Sequence, residues 1–142
     1  MEGVMYKLLK IDEEIMTRAI KLINEESGCI DDCFDDSDLS HEYEQDFSFM
    51  KIGCIYDCKI LLFGNVKDYS EINAKDFILC KYSNEFATIG IYEYLKVETS
   101  NGEYYIEKDC LKEIGDKKEF WFRWSRKDLI QVNNVILPRL LR

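Results

Sequence analysis

Val4 to Ile11 (VMYKLLKI) is an apolar-rich run ended by Asp12, and it predicts a first strand. The period then changes. Ile15, Met16, Ala19, Ile20 and Ile23 recur at spacings of three and four, as on one buried face of a helix. Asp12 as the cap, Glu13 and Glu14 in the first turn, Lys21 in the last and Gly28 beyond the end complete a predicted helix over 12–24. Cys29 to Asp38 has no sustained period and only Ile30, Phe34 and Leu39 as apolar anchors, so it predicts a loop.

From Phe47 onward the pattern is mainly that of strands. Phe49–Tyr56 and Lys59–Val66 are predicted as a hairpin parted near Asp57–Cys58, and Phe77–Tyr82 as a further strand. Phe86–Glu98 is a long run in which Ile89, Ile91, Leu95 and Val97 share a face. Asn101–Gly102 is the strongest turn signal of the chain, with Glu103–Glu107 returning as the partner strand. Lys108–Ile114 predicts a short helix closed by Gly115 and Phe120–Trp124 an aromatic strand. Ser125 then caps a predicted helix to Ile130, and Pro138 limits any later one. The fold class expected is α+β: one N-terminal helix packed on a mainly antiparallel sheet of five to seven strands, with a partly closed barrel as one form of that sheet.

The length of 142 residues suits a single domain over 1–142 that buries a core of its own. Aromatic residues make up 13% of it, a share that argues for packing rather than disorder.

Charge changes this picture in one place. Between Leu22 and Met50 lie ten acidic residues and no Lys or Arg: Glu25, Glu26, Asp31, Asp32, Asp35, Asp36, Asp38, Glu42, Glu44 and Asp46. The chain has 28 acidic and 19 basic residues, so removing those ten leaves 18 against 19. The net charge of −9 therefore arises in this one stretch. Such a run repels itself, and residues 25–46 are expected to be mobile. A net of −9 also repels nucleic acid and anionic membrane, and favours a basic partner.

The last part of the chain has the opposite sign. Lys117, Lys118, Arg123, Arg126, Lys127, Arg139 and Arg142 stand against Glu119 and Asp128, interleaved with Phe120, Trp121, Phe122 and Trp124. Aromatics among basic side chains stack bases and grip phosphates. The same alternation also describes an ordinary strand with its aromatics inward.

Metal and catalytic motifs are weak. Cys29-x3-Cys33 and Cys54-x3-Cys58 could supply four thiolates, but structural zinc takes a tighter knuckle. The aspartates lack calcium-loop spacing, and no Gly lies between Gly28 and Gly53. His41, the only histidine, has Asp38 and Ser40 beside it in sequence, whereas catalytic triads converge from separate elements. No glycine-rich phosphate loop is present. These features predict no enzyme, no cofactor and no metal site. With no export signal and no apolar run of membrane length, the expected compartment is the cytoplasm, with six reduced thiols.

The function expected is that of a small acidic binding protein that inhibits or neutralises another protein. Its partner would be a basic nuclease or nucleic-acid-binding protein, met by Asp31, Asp32, Asp35, Asp36, Asp38, Glu42, Glu44 and Asp46. By charge and size alone the analogy is to immunity proteins of bacterial toxins and phage inhibitors of host defence (the anti-CRISPR kind among them). The alternative is a nucleotide-binding protein using Trp121, Arg123, Trp124 and Arg126.

Overall fold

A computed structural model describes residues 3–15, 17–37, 45–71 and 73–142. Among them run nine strands: β1 (Met5–Glu13), β2 (Arg18–Asn24), β3 (Ile30–Asp35), β4 (Ile55–Lys67), β5 (Phe77–Ile89), β6 (Tyr92–Thr99), β7 (Gly102–Glu107), β8 (Glu119–Val132) and β9 (Val135–Ile136). Helical structure is slight. A 3-10 turn, Lys108–Cys110, runs into the single turn of α1 (Leu111–Ile114), and a second 3-10 turn, Pro138–Leu141, ends the chain.

All nine strands belong to one sheet, in the order β3-β2-β1-β4-β7-β6-β5-β8-β9, with β8 also pairing β3 and β4. These extra pairings close the sheet into two circuits. One passes through β4, β1, β2, β3 and β8; the other through β4, β7, β6, β5 and β8. Strands β4 and β8 form the wall common to both. The ladders are antiparallel except for two parallel bridges, Phe34 with Asp128 and Leu61 with Tyr105.

The predicted N-terminal helix on five to seven strands is overturned. Its residues form the end of β1 and all of β2, where burial has period two: Arg18, Ile20, Leu22 and Asn24 face inward. Ile15, placed on the helical face, is exposed instead. Seven residues from Arg18 to Asn24 match both periods, and pairing with β1 on one side and β3 on the other decides between them. The loop predicted for 29–38 is likewise replaced over Ile30–Asp35 by β3.

Two more corrections share one cause. The hairpin expected about Asp57–Cys58 is the single strand β4, and the helix expected after Ser125 is the second half of β8. A strand that walls two circuits is covered on both faces, so it shows a continuous apolar run rather than alternation. Ile60, Leu61 and Leu62 of β4 are all buried, as are Lys127, Asp128, Leu129 and Ile130 of β8.

The core lines both circuits. Tyr6, Leu8, Ile20 and Leu22 fill the first; Leu95, Val97, Ile106 and Phe122 fill the second; Ile60 and Leu62 sit on the common wall. Each fully buried side chain of this size contributes about 1.5–3 kcal/mol relative to exposure. The two circuits also touch at their tips. Asn24 and Ser27, at the β2–β3 turn, both donate to the Asn101 carbonyl of the β6–β7 turn, at 3.3 and 2.7 Å.

Candidate functional site

The acidic stretch is sorted by strand geometry. In β3, Asp31, Cys33 and Asp35 point inward, while Ile30, Asp32 and Phe34 point outward. An inward carboxylate needs a cation and hydrogen bonds, because burying a charge alone is prohibitively costly. Asp31 accepts from Lys127 Nζ at 2.5 Å and from the Tyr104 hydroxyl at 2.8 and 2.9 Å. Asp35 accepts from Arg18 Nε and Nη2 at 2.9 and 2.7 Å, and from the Ser37 amide and hydroxyl at 2.9 and 2.6 Å. The same Arg18 donates to the Phe47 carbonyl, and the Phe47 amide donates to Ser37 Oγ. Arg18, Asp35 and Ser37 thereby tie Phe47 to the end of β3.

The remaining acidic side chains are placed differently. Asp32 is exposed and pairs with Lys21 at 2.8 Å; Asp36 meets Arg139 at 3.3 Å. Asp46 accepts from the Ser48 hydroxyl and amide, and that hydrogen bonding lowers its pKa. Asp38, Glu42 and Glu44 lie outside the described residues, as does His41. The five expected carboxylates among the described residues therefore do not share one surface. Asp31 and Asp35 are interior, and β8 supplies the countercharge to Asp31.

A second acidic feature spans the strands. A groove of about 510 Å³ is lined by Glu25 and Glu26 from the β2–β3 turn, Glu98 from β6, and Glu103 from β7, with Asn24 and Thr99 between them. Glu98 and Glu103 stand opposite each other across the ladder. Glu103 is paired with Lys96 at 3.1 Å. Glu25, Glu26 and Glu98 have no ion-pair partner among the described residues. The sequence carried part of this signal in Glu25–Glu26, but the β6–β7 hairpin that completes it is remote in the chain.

The basic and aromatic set expected in the last third separates into two. Arg123 binds Asp76 at 2.9 Å and lies over the Phe77 ring. Arg126 makes two hydrogen bonds to Asp128, at 2.7 and 3.0 Å, and lies over Phe63. Both guanidinium groups are thus engaged within the fold. Trp121 and Trp124, in contrast, line a cavity of about 260 Å³ with Lys75, Phe77, Ile78, Leu79, Ser100, Asn101 and Lys127.

A bulge in β8 builds this cavity. Opposite β4, Gly64 pairs with Trp124 and Phe63 with Arg126, which leaves Ser125 as the extra residue. The extra residue shifts the alternation, so Trp124 and Lys127 fall on one side of the strand. The Lys127 ammonium then lies 4.3 Å from the centre of the Trp124 ring. Lys127 was missed as a site residue because the sequence gives no sign of that shift except Gly64, a lone glycine inside a strand.

The cysteines do not converge as a four-thiolate centre. Cys33 is inward on β3 and Cys58 inward on β4, whereas Cys54 is exposed and Cys29 half-buried. Burial pushes the thiol of Cys33 up, and those of Cys58 and Cys80 up to about 12. Among the described residues no three His, Cys, Asp or Glu side chains could hold a metal ion together. No helix among them is long and apolar enough to cross a membrane. Comparison with protein-family models, curated proteins and solved structures finds no match.

Proposed function

We propose that the chain is a binding protein that occupies, and so neutralises, a basic site on another protein such as a nuclease or nucleic-acid-binding protein. The observation that carries this reading is where the negative charge remains once the fold is formed. The Asp31–Lys127 and Asp35–Arg18 pairs are internally neutral, so the net charge of −9 is carried by the other side chains. Part of it lies along the groove of Glu25, Glu26 and Glu98, carboxylates without ion-pair partners among the described residues. Closed strand circuits hold that groove on well-packed elements, which lowers the ordering cost of binding. An acidic surface steers an oppositely charged, basic partner and speeds association in a salt-sensitive way.

The test compares capture from an extract of the source cell by the natural chain and by a Glu25→Gln, Glu26→Gln, Glu98→Gln variant. The expected result is a basic protein retained by the natural chain at low salt, and lost both with the variant and at about 1 M salt, where screening acts within about 3 Å. Retention of the same proteins by both chains would remove the groove from the proposal.

A further inference from the structure

The cavity beside Trp121 and Trp124 has the chemistry of a ligand site separate from the acidic groove. We infer that it binds a free mononucleotide, the base stacking against the exposed parts of the tryptophans and the phosphate remaining at the mouth beside Lys75.

Size sets the first limit. About 260 Å³ is just below the ~300–1,000 Å³ usual for small-molecule sites, so it admits one ring system with its substituents outside. The walls set the second. Trp121, Trp124 and Phe77 give aromatic surface, and both indoles are only partly buried. A planar heteroaromatic ring stacks on such surfaces whatever its identity.

The floor is the most specific element. The Lys127 side chain is 10% exposed, yet its ammonium makes one hydrogen bond, to Asp31. An ammonium carries three donors; Asp31 takes one, and the ammonium also faces the rings of Trp124, at 4.3 Å, and Tyr104, at 5.9 Å. Lys127 also lines the cavity, so a donor not taken by Asp31 can turn from the indole face to an acceptor on a bound base. Asp31 cancels the charge of Lys127, so the floor offers donors rather than net positive charge. That suits the carbonyl or ring nitrogen of a base better than a phosphate.

The mouth supplies the charge. Lys75 is exposed and has no ion-pair partner among the described residues, and Ser100 and Asn101 stand beside it as polar groups. The pattern is an aromatic slot with buried donors at its base and a cation at its rim, which matches a phosphorylated nucleoside. A strand of nucleic acid would present the same chemistry, but a chain of net −9 repels a polyanion at long range.

The chain has two tryptophans and both line the cavity, so its whole tryptophan emission reports on this site. Titration with the four ribonucleoside monophosphates should give a saturable change in emission with at least one of them. By calorimetry, Lys75→Ala should weaken the monophosphate several-fold and leave the matching nucleoside unchanged. Trp124→Leu should weaken both about 10- to 100-fold, checked for folding by a cooperative thermal melt. No saturable change with any monophosphate at millimolar concentration would overturn the inference. So would unaltered binding in Lys75→Ala and folded Trp124→Leu, or tighter binding of a single-stranded oligonucleotide than of any monophosphate.

Discussion

Asp31 and Asp32 are neighbours in sequence and occupy opposite environments. Asp32 pairs with Lys21 on the surface, where such pairs are worth about 0–1 kcal/mol. Asp31 is sealed between Lys127 and Tyr104, where removing one partner strands the other charge. Asp31→Asn should therefore lower unfolding free energy by about 3–5 kcal/mol, a large part of an ordinary domain's total. Asp32→Asn should cost less than about 1 kcal/mol. Adding Lys127→Met to Asp31→Asn should restore much of the loss, because the stranded ammonium is gone. Urea denaturation of the four chains measures all of this. Equal effects of the two Asn substitutions would mean that Asp31 is not held as an inward ion pair.

At the scale of elements, the bulge in β8 depends on a residue of β4. A side chain on Gly64 would meet the Arg123 carbonyl oxygen and come within 2.8 Å of the Trp124 Cα, so the backbones approach only because Cβ is absent. Gly64→Ala should destabilise the chain by about 1–3 kcal/mol, as overpacking does, and should shift the tryptophan emission even where the protein remains folded. An emission spectrum and melt equal to those of the natural chain would show that the strands do not approach so closely there. The same position shows what was legible beforehand. The turn at Asn101–Gly102, the helical turn closed by Gly115 and the first strand are local events, written in neighbouring residues. The turn that parts β5 from β6 has no strong local signal: Gly90 carries it, with φ 64°, inside the run Phe86–Glu98 that reads as one strand. β2 was misread because a short run with Ile20, Ile23 and Ala19 satisfies two periods at once. The second half of β8 was misread because burial on both faces erases alternation. Of the candidate site, the tryptophans were legible as aromatics in a basic context; Lys127, Lys75 and Asn101 were not, since they meet only through pairings across the fold.

For the whole molecule, the common wall decides how the parts depend on one another. Neither circuit closes without β4 and β8, and the bridges that close them join residues far apart in the chain. A contact such as Phe34 with Asp128 gains nothing until a long loop has been ordered, so neither half should persist when the wall is lost. Two cysteines report on this separately. Cys33 belongs to β3 in the first circuit and Cys80 to β5 in the second, and both are buried. Their thiols are also held protonated near neutral pH, Cys80 with a pKa of about 12 and Cys33 shifted upward, so neither should react while native. Brief alkylation across a urea series, with each site read by mass spectrometry, should show both becoming reactive at one midpoint that coincides with the loss of tryptophan emission. Exposed Cys54 should react throughout, as the internal control. If Cys80 opened at clearly lower urea than Cys33, the second circuit would be a separate cooperative unit, and the cleft proposed for a mononucleotide would sit on the part that yields first.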